Sequence, residues 1–232
     1  MIDVRSFDTL GALDFGWLDA RHHFSFGHYT NDGRMGWGRL RVWNDDTIQP
    51  GRGFAPHPHK DMEIITYVRE GAITHEDSMG NKGRTEAGDV QVMSAGSGVR
   101  HSEYNHEDEE TRIFQIWIEP DVRGGDPAWG AKAFPKADRA NEWSVLASGK
   151  GDEDALEIRA DARVMGATLE PGETLTYDLE PGRSAYIALA AGDITLNGET
   201  VNARDGAAIR DVETLTLQGG SSPAEIVLAD TL

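Results

Sequence analysis

Two sequence segments carry the strongest indication of the fold: GRGFAPHPHKDME at residues 51–63 and SAGSGVRHSEYN at residues 94–105. The candidate metal ligands within them are His57, His59, His101 and Glu103. Within each pair the residues are two positions apart, and residues i and i+2 of a β-strand project from the same face. If both phrases form strands that line one barrel, three imidazoles and one carboxylate converge on one point. Three nitrogens and one oxygen suit a divalent first-row transition metal.

Outside these phrases, short apolar or β-branched runs alternate with glycine-rich turns. Such runs lie at 63–68, 90–93, 113–118, 186–189 and 214–217. Runs of this length, separated by Gly, Asn or Asp, are typical of the strands of a sandwich or barrel. Clear amphipathic helices are scarce. The sequence therefore predicts an all-β protein.

The distribution of strand-like runs and turn residues divides the chain into three segments. We predict an N-terminal β-barrel domain with the metal site at 1–120, a short irregular connector at 121–150 and a second, C-terminal barrel at 151–232. Turn pairs such as Pro171-Gly172 and Asn197-Gly198 support the second barrel. No histidine follows His106, so the second barrel cannot repeat a histidine metal site.

Composition restricts the possible partners and location. The chain has 22 Lys+Arg against 40 Asp+Glu, a formal net charge of -18, which disfavours direct binding to nucleic acid or anionic membranes. The absence of cysteine excludes disulfides, thiolate metal sites and a cysteine nucleophile. Residues 1–9 show no secretory signal, and no apolar run is long enough to span a bilayer. We expect a cytoplasmic monomer.

Other histidines and acids are weaker candidates. His22, His23 and His28 lie in an aromatic-rich stretch, which we interpret as a packing segment, with metal binding as the less favoured alternative. The sequence Asn44-Asp45-Asp46 is typical of a turn, because these side chains bond their own backbone.

The central stretch resembles the cupin pattern, and the whole chain resembles the pirin family of bicupins. Gly51-x5-His57-x-His59-x3-Glu63 is similar to the first cupin motif, and the glycines at 88, 96 and 98 with His101-x3-Asn105 are similar to the second. Further pirin-like phrases are Gly16–Asp19, Phe24–Phe26, Arg41–Asp46, His75–Ser78 and Ser94–Gly98. The resemblance implies two jelly-roll barrels in one chain.

The resemblance also implies a mononuclear metal site with His57, His59, His101 and Glu103 as ligands. Iron(II) is the expected ion, with Mn, Ni, Cu, Co and Zn as alternatives. Ordinary cupins take the carboxylate from the first motif, here Glu63, whereas pirins use a Glu two residues after the last histidine. Strand parity allows both, and we favour Glu103 because His-x-Glu fixes both groups on one face.

The activity implied by the resemblance is quercetin 2,3-dioxygenase-like cleavage of a small planar aromatic substrate by O₂. Glu103 would then also accept the substrate's hydroxyl proton. Phe24, Phe26 and Trp37 are candidates for the walls of an apolar slot, and His75 for a residue that contacts the ligands without binding the ion. Two alternatives remain: a metal-dependent redox-sensing regulator that acts through a protein partner, and a small-molecule isomerase on the same scaffold.

Overall fold

The computed structural model describes all residues, 1–232, and contains 22 β-strands. Three short 3-10 turns, Phe7–Thr9, Asp32–Arg34 and Lys136–Arg139, are its only helical elements. No helix is long and apolar enough to cross a membrane. The predicted all-β class with two barrel lobes is confirmed.

The N-terminal lobe encloses its interior between a seven-stranded and a four-stranded sheet. In spatial order, the seven strands are β12 (Ala128–Lys132), β9 (Val90–Ser94), β6 (Glu63–Glu70), β11 (Thr111–Ile118), β4 (Leu40–Ile48), β3 (Leu18–His22) and β2 (Gly11–Asp14). The four strands are β5 (Gly53–His59), β10 (Val99–Tyr104), β7 (Ala72–Asp77) and β8 (Lys82–Glu86). An apolar cluster that includes Ile48, Val68 and Ile73 packs between strands of the two sheets.

The C-terminal lobe repeats this arrangement. Its seven-stranded sheet has the order β1 (Ile2–Arg5), β20 (Gly206–Arg210), β17 (Ser184–Ala191), β22 (Ala224–Thr231), β15 (Ala162–Leu169), β13 (Ser144–Ser148) and β14 (Leu156–Glu157). The four-stranded sheet has the order β16 (Thr174–Asp178), β21 (Thr214–Gly219), β18 (Asp193–Leu196) and β19 (Glu199–Asn202). A cluster of 17 buried apolar residues fills this lobe.

Some strand pairings cross the predicted segments. The first strand, β1, pairs with β20, so the N-terminus completes a sheet of the C-terminal lobe. Within residues 121–150, β12 pairs with β9 of the N-terminal lobe and β13 pairs with β15 of the C-terminal lobe. The division of the chain at residues 120 and 150 stays a prediction.

The predicted turn at Asn44-Asp45-Asp46 is wrong, because these residues lie in the middle of β4. This strand pairs with β11 on one side and with β3 on the other. Asp45 forms ion pairs with Arg69 of β6 and with Arg204 of the C-terminal lobe. Tertiary pairing therefore overrides the local turn preference of the sequence.

The two seven-stranded sheets pack against each other and bury a shared core of 23 residues. Trp43 of one lobe meets Tyr186 of the other, with ring centroids 5.4 Å apart, and Phe114 packs against Trp43 at 5.5 Å. Strands β4, β6 and β11 thus have one face toward the other lobe and one toward the barrel interior. Along β6, Ile65 and Tyr67 face the other lobe, whereas Val68 faces the interior.

Candidate metal centre

Three histidines from β5 and β10 converge at the barrel wall. The strands are antiparallel, and the register places His57 directly opposite His101. Their Nε2 atoms are 3.1 Å apart, and one ligand nitrogen from each of His57, His59 and His101 lies within 4.8 Å of the others. The structure therefore brings the three sequence-predicted histidines together into a group that could hold a metal ion.

Burial keeps two of these imidazoles, His59 and His101, neutral. Burial and the neighbouring histidines together lower the pKa of His101 to about 3 and that of His59 to about 4. A histidine must be neutral to bind a metal, so these two residues present free nitrogen lone pairs over a wide pH range. The donor set fits a divalent first-row ion.

Two further residues, His75 and Asp77, form a chain of polar contacts with His101. His101 Nδ1 lies 3.4 Å from His75 Nδ1, and His75 Nε2 lies 3.0 Å from Asp77 Oδ2. The His75 ring also stacks on Trp129, with centroids 4.9 Å apart. His75 therefore contacts a candidate ligand without belonging to the group of three. A carboxylate behind a metal-binding histidine is the usual device for orienting such a ring.

Glu103 lies on the same face of β10 as His101, and three side chains hold its carboxylate. Oε1 accepts hydrogen bonds from Gln91 Nε2 at 2.7 Å and Thr66 Oγ1 at 3.0 Å. Oε2 accepts one from Gln115 Nε2 at 2.8 Å. Glu103 lines the same cavity as the three histidines but is not part of their tight group. Its assignment as the fourth ligand stays a prediction.

Glu63, the alternative carboxylate ligand, points away from the cavity beside the histidines. It belongs to the face of β6 that packs toward the C-terminal lobe, and its Oε2 accepts a hydrogen bond from Ser94 Oγ at 2.5 Å. Burial raises its pKa, which the Ser94 bond and the nearby Arg159 partly offset. Thr66, whose hydroxyl donates to Glu103, projects from the opposite face of the same strand. Glu63 is absent from the lining of the histidine cavity.

A cavity of about 560 Å³ opens beside the histidines. Its aromatic walls are Trp17, Phe26, Phe54, Tyr104 and Trp117, and its polar lining includes Asn44, Asp46, Glu103 and Gln115. Of the three aromatics predicted for the slot, only Phe26 lines it. Phe24 is buried in the interlobe core, and Trp37 packs against that core. Trp117 was missed, although its alternation with Gln115 on β11 was a signal that the two share a face.

The two buried histidines of the N-terminal aromatic-rich stretch, His22 and His23, are hydrogen-bonded away from the group of three. His22 Nδ1 is 2.9 Å from Asn44 Oδ1, and His23 Nδ1 is 2.7 Å from the Tyr186 hydroxyl across the lobe interface. Neither belongs to the group of three. His28 is exposed and lies outside that group as well.

Comparison with known proteins agrees with this architecture. The pirin family model matches residues 4–118, and the model of the quercetinase C-terminal cupin domain matches residues 145–231. A pirin-like protein of Caulobacter vibrioides is 62% identical, with 99% of each chain covered. The quercetin 2,3-dioxygenase of Escherichia coli strain K12 is 38% identical, with 99% of this chain and 98% of the relative covered.

Solved structures show the same fold. The crystal structure of YhhW from Escherichia coli superposes with a TM-score of 0.95 at 38% identity, with 100% of this chain and 98% of that chain covered. The same bacterial pirin in complex with nickel(II) gives a TM-score of 0.93 at 38% identity, with 100% and 99% covered. The sequence, the paired barrels and the histidine group agree: the chain is a two-domain cupin of the pirin family.

Proposed function

We propose that the protein is a mononuclear metal-dependent dioxygenase that cleaves the ring of flavonol-like aromatic compounds with O₂. The observation that carries this proposal is the convergence of three imidazoles on the wall of an aromatic-lined cavity. The name of the Escherichia coli relative, quercetin 2,3-dioxygenase, supports the same substrate class. Iron(II) is the proposed ion, and the nickel(II) complex of the bacterial pirin makes nickel the first alternative to test.

In this proposal His57, His59, His101 and Glu103 hold the ion. When bound, the metal supplies open coordination positions for the substrate's hydroxyl and carbonyl oxygens and the redox chemistry with O₂. Glu103 accepts the proton of the substrate hydroxyl, because its carboxylate lies in the cavity beside His101. Gln91 and Gln115 each donate a hydrogen bond to this carboxylate and fix its orientation.

The cavity suits a planar aromatic molecule. Its volume of about 560 Å³ lies in the range of ordinary small-molecule sites. Trp17 and Phe54 meet edge to face at 5.5 Å on one wall, and Trp117 packs against His59 at 4.9 Å. Flat, apolar walls bury a planar ring and exclude water from the reacting atoms.

The test is the metal content of freshly purified protein followed directly by O₂ uptake with quercetin. We expect one redox-active metal ion per chain and quercetin-dependent O₂ consumption. The matched control is His101→Ala, which should lose both while it keeps the fold. A full complement of metal without O₂ consumption would reject the dioxygenase and favour the redox-sensing regulator, which a redox-dependent protein partner would then support.

A further inference from the structure

Asp46 is a buried acid, and one of its carboxyl oxygens has no hydrogen-bond partner. It lies on β4, is 2% exposed and contributes to the lining of the cavity beside the histidines. Its Oδ1 atom is buried and unpaired. The other buried carboxylates of this lobe are satisfied: Asp45 pairs with two arginines, Glu103 accepts three hydrogen bonds and Glu63 accepts one from Ser94.

The neighbours of Asp46 explain why it lacks partners. In the sheet register it sits between Ile113 of β11 and Ala20 of β3, neither of which carries a side-chain donor. Burial and the negative charges of Asp45 and Glu103 raise its pKa well above the ordinary value. A neutral carboxyl can both donate and accept a hydrogen bond.

An unpaired buried polar group is costly, and such groups in native proteins call for a functional explanation or an ordered water. Asp46 projects from the seven-stranded sheet, whereas the three histidines belong to the four-stranded sheet. The acid and the histidines therefore lie on opposite walls of one cavity. A ligand that contacts the histidine wall with one end can contact Asp46 with another group.

We propose that Asp46 is a substrate-binding residue whose carboxyl forms a hydrogen bond with a phenolic hydroxyl of the bound ligand. It thereby selects polyhydroxylated aromatic ligands over unsubstituted ones of the same shape. This inference rests on the proposed function in one respect, the class of molecule that occupies the cavity. It adds a residue that binds a ligand hydroxyl at the wall opposite the histidines.

The test compares quercetin with 3-hydroxyflavone, which keeps the 3-hydroxyl and 4-carbonyl groups but lacks the other hydroxyls. Binding to the metal-loaded protein is measured without O₂ by quenching of tryptophan fluorescence, since Trp17 and Trp117 line the cavity. The wild type should prefer quercetin, and Asp46→Val should reduce this preference about tenfold, the effect of one lost hydrogen bond. Asp46→Asn, which still donates and accepts, should retain most of it.

A second measurement separates ligand binding from a structural role. Removal of an unpaired buried acid should leave the melting temperature of Asp46→Val equal to or above that of the wild type. A large fall would mean that a fixed water satisfies the carboxyl and would overturn the proposal, as would an undiminished preference in Asp46→Val. Binding of both flavonols without turnover would reject only the dioxygenase, whereas binding of neither would reject both proposals.

Discussion

Each of two imidazoles in the candidate centre has one nitrogen engaged by the protein, which leaves the other for an ion. His57 Nδ1 is 2.8 Å from the Ala55 carbonyl oxygen. If His101 binds through Nε2, its Nδ1–H must donate to His75 Nδ1. His75 then carries its proton on Nε2 and donates to Asp77. The direction of this chain follows from the tautomer that metal binding requires.

The first prediction concerns this chain. His75→Phe keeps a flat ring to stack on Trp129 but removes the acceptor for His101, so the metal dissociation constant should rise about 10- to 100-fold. Competition with a chromophoric chelator for nickel(II) or iron(II) measures the constant. The control is Glu76→Gln on the same strand, an exposed residue paired with Lys82. Equal metal affinity in His75→Phe and the control would refute the supporting role of His75.

The second prediction separates the two candidate carboxylates. Glu103→Gln replaces an acceptor of three hydrogen bonds with an amide that confronts the amides of Gln91 and Gln115. It should lower quercetin turnover by about 100-fold or more, the usual effect of losing a proton acceptor. Glu63→Gln should retain full metal content, because Glu63 faces the other lobe. Metal loss in Glu63→Gln, measured by elemental analysis, would contradict the assignment.

Sequence parity alone could not choose between these acids. It treated residues 57–63 as one strand, on which His57, His59 and Glu63 would share a face. In the structure β5 ends at His59, β6 begins at Glu63 in the other sheet, and Asp61 between them has a positive φ of 51°. Because of this break, odd residue numbers no longer place Glu63 on the same face as His57 and His59. The His-x-Glu pair on β10 was predictable because both residues belong to one strand, whose pairing with β7 is continuous. The register shift between His101 and Glu103 affects only the pairing with β5.

At the scale of elements, the sequence predicts strands better than their partners. The runs at 63–68 and 113–118 fall within β6 and β11, because alternation and β-branching are local signals. The pairing of β1 with β20 joins residues about 200 positions apart, and no local pattern encodes it. The same limitation applies to Asn44–Asp46, whose turn-like composition gives no sign of the two arginines that pair with Asp45.

The third prediction tests β1 as part of the distant lobe. Deletion of residues 1–5 exposes the edge of β20 and removes Ile2 and Val4, which pack against the C-terminal core. A loss of at least about 2 kcal/mol, from the two partly buried aliphatic side chains alone, should lower the melting temperature by roughly 4–8 °C or more, because the deletion also removes the buried Arg5. Hydrogen exchange at residues 206–210 should accelerate. The control Asp8→Asn, at an exposed position just after β1, should change neither, and unaltered exchange in the deletion would contradict this role.

At the scale of the molecule, the second lobe covers the outer face of the metal-site barrel. The interlobe core buries that face of β4, β6 and β11, and one ion pair, between Asp45 and Arg204, reaches across it. Tyr67 of the first lobe donates a hydrogen bond to Glu225 of the second. The C-terminal lobe contributes no residue to the group of three histidines, and it packs against strands that carry one wall of the cavity.

The fourth prediction is the effect of pH on the whole metal-free fold. Burial lowers the pKa of four histidines: His22, His23, His59 and His101. As pH falls below about 6.5, these residues take up protons more readily in the unfolded chain than in the folded one. The unfolded state then binds more protons, so the free energy of unfolding decreases with acid. The urea concentration at the unfolding midpoint should decrease as the pH is lowered from about 7.5 to about 5.

Two buried acids, Asp46 and Glu63, oppose this trend. Their pKa values are raised in the folded state, so over the range in which they titrate the folded chain binds more protons than the unfolded chain, which favours the fold as pH decreases. Four histidines outweigh two acids, so the net effect remains destabilisation by acid. Asp46→Asn removes one opposing group and should steepen the fall of the midpoint. A midpoint that is constant or rises toward pH 5 would show that the buried histidines take up protons in the folded state.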